Sequence, residues 1–242
     1  CCDACAEACQ TEIDSEYDFG MKKIKGAYLP FEMAFPACYV LAPEIIGTDD
    51  ATRCKEACAY DAVDLDMKTK TLDFKVGAVV YATGWEPYDA TKIDNLGFGQ
   101  VPNIITNMMM ERLAAPNGPT QGKILRPADQ KAPETVAFVQ CAGSRDENHL
   151  PYCSYICCMA SLKQALYVRE QYPDATIYIF YIDIRSPGQR YEKFYQKVKD
   201  DEKIIFVKGK VAAEEAAADG AVTVTAENAV TGEKSSQTVD MA

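Results

Sequence analysis

Between residues 134 and 208 the chain alternates short apolar runs with amphipathic stretches. Val136, Phe138 and Val139 form a β-branched and aromatic run that predicts a buried strand. After a polar loop, Met159, Leu162, Ala165 and Leu166 recur at helical spacing and predict a helix over residues 153–171. Residues 175–184, ATIYIFYIDI, predict a second strand, residues 192–200 a helix and residues 204–208 a third strand. Residues 222–226 and 237–239 predict a closing hairpin. Strand, helix, strand, helix, strand is the order of an α/β fold with a parallel, doubly wound sheet.

The first half is patterned more weakly. Residues 17–40 carry Gly20, Gly26, Pro30 and Pro36 and read as loop-rich. Residues 49–62 predict a short helix, and residues 63–67 and 71–76 a pair of short strands around Lys68-Thr69-Lys70. Gly77 to Tyr81, GAVVY, predicts a buried strand that runs into the turn Ala82-Thr83-Gly84. A small residue, Thr and Gly after an apolar strand let the backbone approach a planar or anionic ligand, because Gly has no Cβ and Thr offers a hydroxyl. Trp85 follows, fitting either a ligand-side loop or core packing. Residues 107–115 predict a helix capped by Thr106, residues 116–130 an exposed loop, and residues 214–219 a solvated turn.

Cysteine usage changes the picture. Eleven cysteines occur in 242 residues, none after Cys158. An odd count in tight spacings argues for metal binding in a reducing cytoplasm rather than for a disulfide framework. Cys141 stands at the end of the first predicted strand, and Cys153, Cys157 and Cys158 precede or open the following helix. Ligands of open α/β sheets bind in that crevice. On a helix Cys153 and Cys157 share a face, with Cys158 about 100° further round, a splay that suits a wide [4Fe–4S] cubane better than one zinc ion. Cys2-x2-Cys5-x3-Cys9 is the last part of a ferredoxin run. Cys54-x3-Cys58 ends a second run whose first two cysteines are replaced by Thr48 and Ala51. In two-cluster ferredoxins the fourth Cys of each run serves the other cluster. Cys58 therefore joins Cys2, Cys5 and an upstream cysteine, leaving only Cys9 and Cys54 for a degenerate second site. Cys38 is expected to be packed, His149 to be an exposed loop histidine ahead of a donor to a cluster sulfur, and Asp183 and Arg185 to serve in structural ion pairing rather than catalysis.

Net charge is −11, which disfavours nucleic acid as a partner. No apolar run approaches the roughly 20 residues of a membrane span. The chain starts without Met inside a cysteine motif and ends where a strand begins, so it reads as a fragment of a longer protein.

Cys141-Ala142-Gly143-Ser144-Arg145, Tyr152-Cys153-Ser154, Cys157-Cys158-Met159 and Tyr181-Ile182-Asp183-Ile184-Arg185 resemble the flavoprotein (A-type) component of heterodisulfide reductase. They are similar, more closely, to its relative, the A-type component of the quinone-interacting membrane-bound oxidoreductase of sulfate reducers. The resemblance runs from about Cys2 to Val239. It implies a two-dinucleotide-domain, thioredoxin reductase-like flavoprotein fragment preceded by part of an inserted ferredoxin-like module. The implied domains are residues 1–66 (iron–sulfur module), 67–133 (flavin-domain strands and loops) and 134–242 (Rossmann-like, with the four-cysteine cluster). FAD is expected against Ala82, Thr83, Gly84 and Trp85, with Gly143 and Ser144 in the loop that replaces a glycine-rich phosphate turn. The first FAD glycine motif is absent here and expected upstream. [4Fe–4S] clusters are expected on Cys141, Cys153, Cys157 and Cys158, and on Cys2, Cys5 and Cys58 with an upstream cysteine, Cys9 being a further candidate metal ligand.

The resemblance implies an oxidoreductase subunit without acid–base catalytic residues. It would pass electrons between a quinone-linked or hydrogenase-linked partner and a reductase of adenylylsulfate or a heterodisulfide. Its partners would be other subunits and a redox protein, in the cytoplasm or held at the inner membrane face by those subunits. Two other readings stay open. One is a pyridine-nucleotide disulfide oxidoreductase using Cys157 and Cys158, disfavoured by the strained ring that adjacent cysteines close. The other is a zinc-stabilised interaction module.

Overall fold

The computed structural model describes residues 2–228 and 230–242. They form two units, the first ending at Trp85 and the second beginning at Glu86.

The first unit opens with α1 (Ala4–Ala8). Two small antiparallel ladders follow. β1 (Glu12–Asp14) pairs with β2 (Lys23–Lys25), placing Ile13 opposite Ile24. β3 (Ala27–Tyr28) pairs with β4 (Val40–Leu41). α2 (Asp49–Glu56) then packs on α1. The core between them is small: Cys5, Cys9, Ala27, Ile45 and Cys54. Three of its five members are thiols, which behave there as small apolar groups. Helix α2 stops six residues short of the predicted end. Asp61 takes a left-handed φ of 49°, and the Ala62 amide turns back to donate to Cys58 Sγ at 3.3 Å.

The strands predicted at 63–67, 71–76 and 77–81 do not form. Val76, Val79, Val80 and Tyr81 are exposed, the last two at 87%. The backbone of residues 67–87 makes no hydrogen bond to other described residues. A strand needs a neighbour for its N–H and C=O groups, and an apolar run supplies the tendency without the neighbour.

In the second unit α3 (Asn107–Ala114) starts as expected, with Thr106 Oγ1 accepting from the Met109 amide at 3.3 Å. β5 (Thr135–Val139), α4 (Cys157–Gln171), β6 (Thr176–Tyr181), α5 (Gln189–Lys199) and β7 (Ile204–Lys208) build a parallel sheet in the order β5-β6-β7. Val136, Ile177 and Ile204 lie in one row across it. The chain then forms an antiparallel sheet from β8 (Lys210–Ala216), β9 (Val222–Glu227) and β10 (Lys234–Val239). Met241 returns to bridge Val136 beside β5.

Strand alternation divides the core into two layers. Val136, Phe138, Ile177 and Ile179 pack with Leu162, Ala165 and Val168 of α4 and Val198 of α5. Ala137 and Phe180 face the other way, onto Val222, Val224, Ala226 and Val239 of the antiparallel sheet. The α/β expectation is met with its parallel sheet, but these helices cover one face only. The second face is closed by strands, so the sheet is not doubly wound in the expected manner. The solvated turn predicted at 214–219 is corrected as well: Glu214 lies on β8 and is buried.

Candidate metal centres

In the second unit the four cysteines are gathered by one loop. At the end of β5 the Gln140 amide donates to Phe180 O at 2.9 Å, and Cys141 turns the chain with a left-handed φ of 60°. The loop folds back on itself. Leu150 N donates to Gly143 O at 2.9 Å, Arg145 N donates to Tyr152 O at 3.0 Å, and the Ser144 and Ser154 hydroxyls share a hydrogen bond of 2.5 Å. Gly143 is favoured there because its left-handed φ of 77° strains any side chain, and a Cβ would also crowd Ile93 and Tyr88. Cys153 is thereby returned toward Cys141. It lies before α4 rather than on it: Tyr155 takes a left-handed φ of 68°, and its amide donates to Cys153 Sγ at 3.3 Å. The helix begins only at Cys157, so the shared helical face expected for Cys153 and Cys157 does not exist.

The four thiols nevertheless act on one another. Burial pushes the Cys141, Cys157 and Cys158 thiols up, and neighbouring thiolate charge adds to it. Cys157 feels Cys158, Cys141 and Cys153; Cys158 feels Cys153; Cys141 feels Cys158 and Cys153. Cys158 is buried, Cys141 and Cys157 are half-buried and Cys153 is exposed. Four soft donors crowded at a helix start, where the backbone dipole favours anions, suit a thiophilic metal group. Among the described residues, no three His, Cys, Asp or Glu side chains close round a point suited to a single metal ion.

Two arginines flank the thiols: Arg185, expected with Asp183 in structural ion pairing, and Arg145, for which the sequence suggested no role of its own. Arg145 Nη2 pairs with Asp183 Oδ2 at 3.1 Å, and Arg185 Nη2 reaches the same oxygen at 3.9 Å. Cys158 Sγ donates to Asp183 O at 3.8 Å. Their signal was available in the spacing: Arg145 stands four residues after Cys141, and Asp183 and Arg185 end a strand beside it. His149 is half-buried, not exposed, and its Nδ1 shares a hydrogen bond of 2.8 Å with the Tyr88 hydroxyl. A cavity of about 460 Å³ opens beside Cys141, lined also by Ile93, Gln140, His149 and Lys210.

Among the described residues of the first unit, five thiols form two adjoining groups that meet at Cys5 and Cys54. Burial raises Cys5, with Cys58 and Cys2 adding to it, so these three lie within reach of each other's charge. Cys58 is held below its ordinary value by the Ala62 amide first, then by those of Tyr60 and Val63. Cys9 and Cys54 form the second group. Cys54 is fully buried, its Sγ donates to Cys5 O at 3.3 Å, and its thiol is pushed up to about 11 by burial and then by Cys9. Cys9 Sγ donates to Thr11 O at 3.6 Å and to Asp50 Oδ2 at 3.8 Å. Asp50, itself buried, also accepts from Gln10 N at 3.1 Å, Thr11 N at 2.7 Å, Thr11 Oγ1 and Arg53 Nε at 3.1 Å. Those bonds hold its carboxyl well below the usual range, the Thr11 hydroxyl foremost. Cys9 thus borders a buried, hydrogen-bonded carboxylate. Cys38 is exposed, so the packing expected of it is absent.

No family model matches the chain. Curated relatives do. It is 39% identical over 230 residues to the A-type component of the ferredoxin:CoB-CoM heterodisulfide reductase of Methanosarcina mazei, covering 94% of this chain and 28% of that protein. The chain belongs to the heterodisulfide reductase A-type family. The iron-sulfur A-type component of the CoB–CoM heterodisulfide reductase of Methanocaldococcus jannaschii is 39% identical over 215 residues, 87% of this chain and 32% of the relative. For the A-type component of the H2:CoB-CoM heterodisulfide,ferredoxin reductase of Methanothermobacter marburgensis the values are 34% over 241 residues, 99% and 36%. The chain spans about a third of the length of these relatives.

The residues expected at a flavin are placed differently from one another. Ala82, Thr83, Gly84 and Trp85 lie at the end of the first unit and are exposed. Gly84 takes φ 71° with open space around it. Trp85 is 61% exposed and so does not pack in a core. Gly143 and Ser144 belong to the second unit and are buried in the cysteine loop. No helix among the described residues is long and apolar enough to cross a membrane.

Proposed function

We propose that this chain is the iron–sulfur relay portion of an electron-transfer flavoprotein subunit. The observation that carries the reading is the gathering of Cys141, Cys153, Cys157 and Cys158 by one folded loop, close enough for their charges to interact. Relatives named as iron-sulfur subunits support it. In this reading those four thiolates hold one [4Fe–4S] cluster, and Cys2, Cys5 and Cys58 with one further cysteine hold another. The turn at Ala82, Thr83, Gly84 and Trp85 contacts FAD, while Gly143 and Ser144 shape the loop beside the first cluster. When bound, the flavin exchanges electrons in pairs and the clusters pass them singly.

The protein's own residues bind, orient and screen. The cysteine loop fixes the donor spacing through its serine pair and its backbone bonds. Burial of Cys158 keeps water from one side of the site. The arginines beside it offset the negative charge of four thiolates. Cys9 and Cys54 take no cluster, because Asp50 and its partners occupy their surroundings. The substrate side is a disulfide of the heterodisulfide class, or adenylylsulfate with a quinone-linked partner, reached through other subunits at the cytoplasmic face.

Anaerobic iron and acid-labile sulfide analysis of the full-length polypeptide and of Cys157→Ala tests the reading. Loss of about four iron and four sulfide in the variant is the expected result. Stoichiometric zinc without sulfide would sink it and favour a zinc-stabilised module. Metal-free protein that titrates as a dithiol would favour Cys157 and Cys158 as a redox pair.

A further inference from the structure

Arg145 is held in place from several directions. Its amide donates to Tyr152 O at 3.0 Å, its backbone takes a left-handed φ of 56°, and its Nη2 pairs with Asp183 at 3.1 Å. Asp183 is itself gripped at a distance by Arg185, 3.9 Å away. The guanidinium so placed lies against Cys141, favouring ionisation of that thiol. The guanidinium already interacts with the Cys141 thiol, and one of its nitrogens, Nη1, is buried with no partner at hydrogen-bond distance among the described residues. A buried donor without a partner is destabilising, so it is ordinarily explained by a group that completes it. A sulfur acceptor stands beside the same guanidinium in Cys141.

We propose that Arg145, braced by Asp183, sets the reduction potential of an iron–sulfur cluster held by Cys141, Cys153, Cys157 and Cys158, with its buried Nη1 donating to a sulfur of that group. This rests on the cluster reading above. One-electron reduction of such a cluster adds one negative charge and makes or breaks no bond. A fixed cation and a hydrogen bond to sulfur stabilise the more negative state and so raise the potential. Arg145 is a tuning residue, since the iron is bound by cysteines. Asp183 is a positioning residue acting through it.

The test uses the full-length polypeptide loaded anaerobically with iron and sulfide. The relevant cluster is identified by the electron paramagnetic resonance signal that Cys157→Ala removes, and its midpoint is followed by redox titration. In Arg145→Gln that midpoint is expected to fall with iron and sulfide content unchanged. Arg145→Lys keeps the charge and is expected to recover most of the shift. An unmoved midpoint in an iron-replete Arg145→Gln protein overturns the proposal. If Arg145→Gln loses the cluster, Arg145→Lys decides: a loaded cluster with a near-wild-type midpoint supports the role, and loss in both variants shows a structural residue and overturns it. Failure of the underlying reading looks different, because the wild type would then show no signal that Cys157→Ala removes, and the proposal would fall with it.

Discussion

The two cysteine sites relate to their folds in opposite ways. In the first unit Cys5, Cys9 and Cys54 are core residues, and little else apolar accompanies them beyond Ala27 and Ile45. In the second unit the cysteines stand at the edge of a sheet whose core is made by others, Phe180, Ile177, Ile179 and Leu162 among them. A small chain segment without a large core depends on metal or disulfide staples, whereas a layered α/β unit does not. Cysteines supply most of the first unit's core, whereas those of the second unit are mounted on a core built by other side chains.

The largest effect should follow removal of iron from the loaded protein. Anaerobic chelation is expected to abolish amide-exchange protection in α1 and α2 while β5, β6 and β7 keep theirs. Equal loss in both units would break the distinction. Next comes Phe180→Ala, which removes a fully buried ring between the two sheets. It should destabilise the second unit by about 3–5 kcal/mol in denaturant titration. The first unit should be unchanged.

The buried acids sharpen the contrast through pH. Burial alone pushes Glu214 up to about 7. Its folded value exceeds the unfolded one, so its contribution is fully present below about pH 4.3 and is lost as pH rises toward 7. The loss is on the order of 3 kcal/mol, and Glu214→Gln should stabilise the second unit at pH 7 and flatten that slope. Asp50 runs the other way. Its folded value is depressed, so its contribution is present above about pH 3.9 and lost as pH falls through the folded value. Circular dichroism of each unit's transition against pH checks the opposite signs. The smallest effect is Lys210→Ala. This removes a 2.8 Å pair with Asp146 in which the lysine is 48% exposed, and should cost no more than about 1 kcal/mol.

Much of the second unit was readable because its periodicity reports burial directly. The strand predicted at 204–208 matches β7 in both bounds, and Thr106 caps its helix as expected. Errors arose where a residue's state depends on a distant neighbour. GAVVY has every local property of a strand and pairs with no described residue. Glu214 sits among alanines that suggest a surface, yet β9 pairs with β8 and buries it. Tyr155 holds back the helix start through a left-handed backbone that its residue type does not announce. At the site, cysteine spacing exposed the donors, but the role of Arg145 depends on Asp183, which the segment after β6 brings to it.

What the sequence by itself determined was the donor chemistry, the order of the α/β elements and the incompleteness of the second ferredoxin run. These depend on residue identity and short spacing, which the linear chain carries in full. Tertiary structure alone decided which thiols share an environment, that strands rather than helices close one face of the parallel sheet, and that the Asp50 carboxylate sits against Cys9. It also brought Arg145 and Asp183 together beside Cys141, though 38 residues of chain separate them. Burial and charge proximity are properties of packing, and packing is settled by contacts that no local pattern contains.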